Sequence, residues 1–187
     1  MTDSSSNKIL MNRRGFLGAL AGISGGLIMP AAFAAPVKQV DRSLTLYNTH
    51  TGEKLTSTYF AEGQYQQESI KEIEWLLRDH RAEEAAAMDP QLMDLMHNIE
   101  NLIGKRSREF HIISGYRSPE TNAKLRKNST GVAKKSFHMR GKAIDIRVPG
   151  YDIAQLRRAA MSLKSGGVGY YPKSNFIHVD TGRTRFW

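Results

Sequence analysis

The chain of 187 residues contains no cysteine. This absence excludes a disulfide framework, a thiolate nucleophile and every zinc site built on cysteine, and it leaves histidine, aspartate and glutamate as the plausible metal ligands. Internal repeats and low-complexity tracts are also absent after residue 34. Because 40% of the residues are hydrophobic, the chain can bury one ordinary core, and we expect one compact domain.

Acidic residues are outnumbered in this sequence. The 27 lysines and arginines exceed the 18 aspartates and glutamates, so the formal net charge is +9. A protein of this charge is attracted to polyanions such as nucleic acid, anionic lipid or an acidic cell-wall polymer. The charge alone does not choose among these partners.

Residues 1–34 have the three parts of an export signal. The pair Arg13 and Arg14 precedes an apolar, glycine- and alanine-rich run that ends in small residues typical of a cleavage site. Since Phe16 and Leu17 follow closely, the segment resembles a twin-arginine signal, which predicts export of the folded protein to the periplasm. Export makes nucleic acid an improbable partner, so we expect none.

The same apolar run is a poor membrane span. Glycine, serine and proline interrupt it at several positions after Leu17, and its far end reads as a processing site. We therefore expect no stable membrane span after processing, with a retained anchor as the alternative. Residues 35–42 then read as a proline-containing linker, and residues 43–187 as the folded domain.

Periodicity in residues 43–187 predicts strands and helices in unequal mixture. The predicted strands cover residues 43–48, 54–60, 110–114, 141–148, 168–171 and 175–181. The predicted helices cover residues 66–83, 89–103, 118–127 and 152–165. Hairpins without a regular βαβ alternation predict the α+β class, with an antiparallel sheet and flanking helices.

Two short segments carry the candidate site. His138 and Asp145 lie seven residues apart in the first, and His178 lies in the second. Two neutral imidazoles and one carboxylate suit Zn²⁺, and three protein ligands leave a fourth position for water, which is the catalytic pattern. From the residues alone, three ordinary polar side chains remain an equal alternative.

Asp180 lies two residues after His178 on a predicted strand, so both side chains are expected on one face, in the cleft. Two roles stay open for this carboxylate. It acts either as the general base of a hydrolytic reaction or as the partner that orients the imidazole of His178.

Several motifs resemble, in order and spacing, the M15-type zinc peptidases that cut peptidoglycan peptides. The motifs are SGYRS at residues 114–118, Asn122, SxHxxGxAxD at residues 136–145, GYY at residues 169–171 and FIHVD at residues 176–180. The motif match covers residues 110–181, and the whole chain after the signal is similar to an exported murein endopeptidase subgroup. The resemblance implies the fold of Hedgehog proteins and D-Ala-D-Ala peptidases.

The resemblance also implies roles for particular residues. His138, Asp145 and His178 correspond to the zinc ligands. Arg117 corresponds to the residue that holds the developing oxyanion or a carboxylate of the substrate. The implied reaction is hydrolysis of peptide crosslinks in peptidoglycan by metal-activated water, at diaminopimelate–diaminopimelate or D-Ala–diaminopimelate crosslinks.

One position departs from the family pattern. Many relatives have a glutamate base three residues before the last histidine ligand, where this chain has Asn175. Because an amide cannot take up the proton, we expect Asp180 to be the base. The alternative is a catalytically silent, zinc-containing module that binds peptidoglycan.

Overall fold

The computed structural model describes residues 40–104, 109–129 and 131–187. The predicted signal at residues 1–34 and most of the predicted linker lie outside the described residues, so the prediction of a twin-arginine signal stays a prediction. Within the described part of the chain, no helix has both the length and the apolar character needed to cross a membrane.

One mixed sheet of eight strands forms the centre of the described domain. The strands are β1 Arg42–Asn48, β2 Lys54–Ala61, β3 Gln64–Tyr65, β4 Glu109–Ser114, β5 Ala143–Arg147, β6 Gly167–Tyr171, β7 Phe176–Asp180 and β8 Arg185–Phe186. Their order in the sheet is β3-β2-β1-β4-β5-β7-β6-β8. The predicted α+β class is confirmed.

Two neighbouring pairs, β1–β4 and β6–β8, run parallel, whereas all the other pairs are antiparallel. The sequence did not predict the two parallel pairs. A parallel pair needs a connection that crosses back along the sheet, and for β1–β4 helices lie in that connection. Between β6 and β8 the chain runs back along β7, which is antiparallel to β6. The chain therefore changes direction twice, and β8 returns parallel to β6.

Within the described residues, four α-helices flank the sheet. They are α1 Gln67–Leu76, α2 Pro90–Ile103, α3 Pro119–Asn128 and α4 Ile153–Ser162. Side chains of Asp89, Ser118 and Asp152 accept hydrogen bonds from the first turns of α2, α3 and α4, as helix caps do. Proline is the first residue of α2 and of α3, as is common at a helix start.

Helix α1 is shorter than predicted, because it ends at Leu76 and not near residue 83. After Leu76 the chain turns into a loop that Asp79 and Glu84 close with backbone hydrogen bonds. Arg78 and Asp79 are both buried in this loop. The helical prediction failed here because buried charged residues, held by tertiary contacts, replace the apolar stripe of the helix.

The two faces of strands β5, β6 and β7 differ in the residues that they carry. One face is apolar and buried against the helices, through Ile144, Ile146, Val168, Ile177 and Val179. Because successive side chains of a strand alternate, the intervening residues point to the opposite face. That opposite face carries the candidate site.

Candidate metal centre

Two of the three predicted ligands lie on neighbouring strands. Asp145 of β5 and His178 of β7 are direct partners in the antiparallel register. In such a pair the two side chains project from the same face of the sheet. Both residues are buried, with 7% and 9% of their surface exposed.

His138 reaches the same point from a short 3₁₀ helix, Phe137–Arg140. Ser136 caps this turn, with its hydroxyl accepting a hydrogen bond from the backbone N–H of His138. Gly141 ends the turn with a φ of +64°, in the left-handed region that favours glycine. A Cβ atom at Gly141 would lie 2.0 Å from the carbonyl oxygen of Ala87, so only glycine fits.

The structure brings the three predicted side chains together. His178 Nδ1 lies 2.9 Å from Asp145 Oδ1 and 3.2 Å from His138 Nε2. The third side of this triangle, from His138 Nε2 to Asp145 Oδ1, measures 3.3 Å. Among the described residues, these three form the group able to hold a metal ion.

In each imidazole, one nitrogen points away from the triangle, and its hydrogen-bond partner determines which ring nitrogen carries the proton. His138 Nδ1 lies 2.8 Å from the carbonyl oxygen of Gly115 and must donate, because a carbonyl can only accept. His178 Nε2 lies 2.9 Å from a carboxylate oxygen of Asp180 and donates for the same reason. In the neutral rings, His138 Nε2 and His178 Nδ1 therefore turn lone pairs toward Asp145.

Charge reinforces this arrangement. Burial alone would raise the pKa of Asp145, but His138 and His178 outweigh it and hold the pKa well below its ordinary value. For His178, burial would lower the pKa, but the carboxylates of Asp145 and Asp180 raise it overall. The centre therefore consists of an ionised carboxylate beside two imidazoles, and the surroundings of His178 favour positive charge.

This donor set fits zinc. Four-coordinate zinc with bonds of about 2.0 Å places neighbouring ligand atoms about 3.3 Å apart. The three distances in the triangle, 2.9, 3.2 and 3.3 Å, come close to that separation. Three lone-pair atoms at this spacing repel one another unless a cation lies between them, so His138, Asp145 and His178 are the residues that would hold it.

Asp180 lies behind His178 and not in the cleft. It is completely buried, and its two oxygens accept hydrogen bonds from His178, from both terminal nitrogens of Arg185 and from the backbone of Gly167 and Gly182. Burial would raise its pKa, but the bonds from His178 and Arg185 hold the pKa well below its ordinary value. The expectation that Asp180 opens onto the cleft is wrong, because Arg185 and Gly182 cover it.

Arg117 stands at the other side of the centre. Its Nη2 atom lies 3.8 Å from Asp145 Oδ2 and donates to Ser114 Oγ at 3.1 Å. Its Nη1 atom donates to Asn122 Oδ1 at 3.3 Å. The Nε atom is buried and has no hydrogen-bond partner among the described residues. A guanidinium held in this way is rigid and keeps donor capacity for a ligand.

The centre forms part of the wall of an open cavity of about 540 Å³. Three cations, Arg117, Lys135 and Arg185, also line it. Aromatic side chains complete the wall, namely Phe137, Tyr171, Phe176 and Trp187. Asp145 is the single carboxylate in the lining that the described residues provide, and Asn175 does not contribute to it.

Sequence reasoning missed Arg185 and Trp187. The indole of Trp187 lies over Gly169, where a Cβ would be 2.7 Å from the ring, and Arg185 fills the space beside Gly167. Both glycines are register partners of site residues, Gly169 of His178 and Gly167 of Asp180. Two glycines at alternate positions of a strand were the available signal that bulky groups lie above them.

Two imidazoles and a carboxylate meet at the wall of an open cavity that cations line. This arrangement, in an α+β domain, is typical of a metallohydrolase. The chain belongs to the M15 peptidase family described as "Peptidoglycan L,D-endopeptidase MepK", whose family model matches residues 37–187. The family membership and peptidase class predicted from the motifs are confirmed.

Named relatives match over nearly their whole length. Peptidoglycan L,D-endopeptidase MepK of Escherichia coli strain K12 is 44% identical over 183 residues, which cover 97% of this chain and 100% of the relative. A Haemophilus influenzae protein named probable peptidoglycan L,D-endopeptidase MepK is 43% identical, with 97% and 98% covered. No solved structure matches the chain significantly.

Proposed function

We propose that this protein is a zinc-dependent endopeptidase that hydrolyses peptide crosslinks of peptidoglycan. The observation that carries the proposal is the convergence of three ligand atoms, from His138, Asp145 and His178, within 3.3 Å of one another in an open cavity. Membership of a peptidoglycan peptidase family supports the same reading.

The chain's own residues have distinct tasks in the proposed reaction. His138, Asp145 and His178 hold Zn²⁺, which when bound supplies a Lewis acid that activates water and polarises a peptide carbonyl. Asp180 would fix the ring of His178, because it accepts a hydrogen bond from Nε2–H, keeps the proton on that nitrogen and leaves Nδ1 free for the metal. This orienting role replaces the general-base role as our proposal for Asp180, since its oxygens are enclosed.

Arg117 is proposed to hold an anionic part of the substrate. It lies in the cavity wall beside Asp145, and each of its terminal nitrogens, which carry two N–H groups apiece, makes one side-chain hydrogen bond, to Asn122 or to Ser114. Its guanidinium would bind the developing oxyanion or a carboxylate of a diaminopimelate residue, because fixed donors suit both groups.

The charge of the cavity fits a peptidoglycan stem. Arg117, Lys135 and Arg185 surround the centre, and peptide stems carry free carboxylates. Of the two crosslinks considered, the relatives' name L,D-endopeptidase favours the diaminopimelate–diaminopimelate bond, which joins an L centre to a D centre. The proposed site of action is the periplasm, reached through the predicted twin-arginine signal.

The test is digestion of crosslinked muropeptides of known linkage by the purified protein, with and without a chelator. We expect release of monomers that stops when the metal is removed and returns with zinc. His138→Ala and Asp145→Ala should lose bound zinc and activity together. The control His111→Ala changes a histidine of β4 that lies outside the cavity and should keep both.

A catalytically silent module that binds peptidoglycan is the competing function, favoured by Asn175 in place of a glutamate. It predicts zinc binding and retention on sacculi without release of any muropeptide. A mutant that lost zinc yet kept turnover would contradict both functions.

A further inference from the structure

We propose that Tyr171 is a further catalytic residue, whose hydroxyl donates a hydrogen bond to the scissile carbonyl oxygen as its negative charge develops. Trp187 is the positioning residue that directs this hydroxyl hydrogen. The inference rests on the proposed hydrolytic function and deepens it. It assigns a role to Tyr171, which the GYY motif contains without a stated role, and to Trp187, which lies outside the motifs.

Tyr171 shares the face of the sheet that carries the metal centre. On paired strands β6 and β7, Gly169 is opposite His178, and Tyr171 is opposite Phe176. Residues two apart on a strand project to one side, so Tyr171 lies on the His178 side and not among the core isoleucines. Its ring stacks on Phe176 with centroids 4.7 Å apart and planes 18° apart, which fixes its direction.

Hydrogen-bond counting leaves the Tyr171 hydroxyl hydrogen free. The indole N–H can only donate, and Trp187 Nε1 lies 3.0 Å from Tyr171 Oη, so the tyrosine oxygen accepts this bond. Within the described part of the chain, no acceptor receives the hydrogen of Tyr171 itself. The hydroxyl therefore has a donor available, and it is one that lines the cavity.

Trp187 is held at both its backbone and its ring. Its N–H donates to the carbonyl of Val168 at 3.2 Å, and its carbonyl accepts from Tyr170 N–H at 2.9 Å. Its ring lies 5.3 Å from that of His178, in the space left by Gly169. Because the indole is fixed beside His178, the bond it donates sets the orientation of the Tyr171 hydroxyl.

The position of Tyr171 complements that of Arg117. The sheet order β4-β5-β7-β6 places Arg117, which follows β4, on the Asp145 side of the centre and Tyr171 of β6 on the His178 side. A substrate that crosses the centre therefore meets a donor on each side. Arg117 carries a full charge and suits a carboxylate, which leaves the neutral Tyr171 donor for the carbonyl oxygen.

The test compares Tyr171→Phe with Tyr170→Phe. The first removes the hydroxyl and keeps the ring that stacks on Phe176. The second removes the hydroxyl of the adjacent tyrosine, which packs against the core on the other face and does not line the cavity. Trp187→Phe removes the indole N–H and keeps an aromatic ring.

With zinc-loaded protein and a soluble crosslinked muropeptide, we expect Tyr171→Phe to lower kcat by about 100-fold with little change in KM, because loss of one oxyanion donor costs roughly 10²–10³ in kcat. Trp187→Phe should lower kcat by a smaller factor, and Tyr170→Phe should leave it unchanged. Zinc affinity, measured by competition with a chromogenic chelator, should be the same in Tyr171→Phe and wild type.

A second readout does not depend on turnover. A phosphinate analogue of the crosslink carries tetrahedral oxygens that mimic the oxyanion, and calorimetry should show weaker binding to Tyr171→Phe than to Tyr170→Phe. Wild-type kcat and analogue affinity in Tyr171→Phe would overturn the role of Tyr171 alone. An inactive zinc-loaded wild type would instead overturn the proposed function, and the role of Tyr171 with it.

Discussion

His178 Nε2 lies 2.9 Å from Oδ2 of Asp180 and donates a hydrogen bond to that fully buried carboxylate. The bond selects the tautomer in which the other ring nitrogen, Nδ1, carries a lone pair. Two further bonds from Arg185 hold the carboxylate itself. Because Asp180 is buried and does not line the cavity, we expect it to act on the centre through His178.

The change Asp180→Asn tests this relationship. An amide accepts fewer bonds and places an NH₂ group against donors, so the ring of His178 loses its fixed orientation. We expect zinc affinity to fall by about 10–100-fold, as is usual when such an outer partner is lost. Chelator competition measures the affinity, and Asp152→Asn, which keeps a capping oxygen at the start of α4, is the control. Full zinc occupancy with turnover abolished would instead favour Asp180 as the general base.

Gly141 gives a test of how the His138 turn is built. Alanine there would occupy the left-handed region and place a Cβ 2.0 Å from the carbonyl oxygen of Ala87. Gly150 is a matched control, since its φ is +72° and no atom lies within 4 Å of an added Cβ. The left-handed conformation costs about 1–2 kcal/mol in both variants. Gly141→Ala should lose about 1–3 kcal/mol more from overpacking.

Urea unfolding of the two alanine variants measures this difference. We also expect Gly141→Ala to weaken zinc binding, because the turn that ends at Gly141 carries His138. Equal losses of stability in the two variants would show that the contact with Ala87 relaxes without cost.

The sequence placed the candidate ligands in two segments, and the family resemblance assigned His138, Asp145 and His178 as the zinc ligands. Alternation along each predicted strand gave the direction of Asp145 and of His178, but neither the pairing of β5 with β7 nor the 3₁₀ turn that carries His138 was predicted. Alternation also placed Asp180 on the correct face. It could not give the depth of that side chain, because a strand's period reports a direction and not what covers the residue.

What covers Asp180 comes from the end of the chain. Strand β8 has two residues, Arg185 and Phe186, and so short a segment has no periodic pattern to detect. Its contacts with β6 depend on the finished sheet, where Gly167 and Gly169 leave room. The alternate glycines could therefore indicate that bulky groups lie above β6, but local sequence could not identify them as Arg185 and Trp187.

Gly169 is the position where this tertiary fit can be measured. A Cβ there would lie 2.7 Å from the Trp187 ring, which is closer than van der Waals packing allows, so the indole must shift to admit it. Gly169 is buried in β6, so Gly169→Ala should cost about 1–3 kcal/mol from overpacking. It should also displace the indole and break its bond to Tyr171.

The fluorescence of Trp187 reports this displacement. The chain has two tryptophans, so the Trp75→Phe background leaves Trp187 as the single emitter. We expect Gly169→Ala to shift the emission and to increase quenching by acrylamide. Gly131→Ala, whose added Cβ would meet its nearest atom at an ordinary 3.7 Å, serves as the control. Unchanged emission in Gly169→Ala would mean that the ring does not rest on this residue.

The buried carboxylate of Asp79 is expected to make the free energy of unfolding depend on pH. It is buried, and its carboxylate accepts hydrogen bonds from the backbone N–H groups of Ser118 and Arg81. Burial would raise its pKa, but hydrogen bonds from Thr121 and Ser118 outweigh it and lower the pKa below the ordinary value of 3.8. Because Ser118 follows Arg117, this bond also anchors the start of α3 beside the cavity.

The lowered pKa of Asp79 determines the direction in which stability changes with pH. A carboxyl that is more acidic in the folded state contributes stability above the unfolded pKa, and that contribution is lost as pH falls through the folded pKa. Asp79→Asn should cost about 1–3 kcal/mol at pH 7, because it leaves a buried donor without its acceptor. Urea unfolding between pH 7 and pH 3 should show this difference from wild type constant down to about pH 5 and smaller below pH 4. A difference that grew on acidification would require Asp79 to be protonated in the folded protein, contrary to its hydrogen bonds.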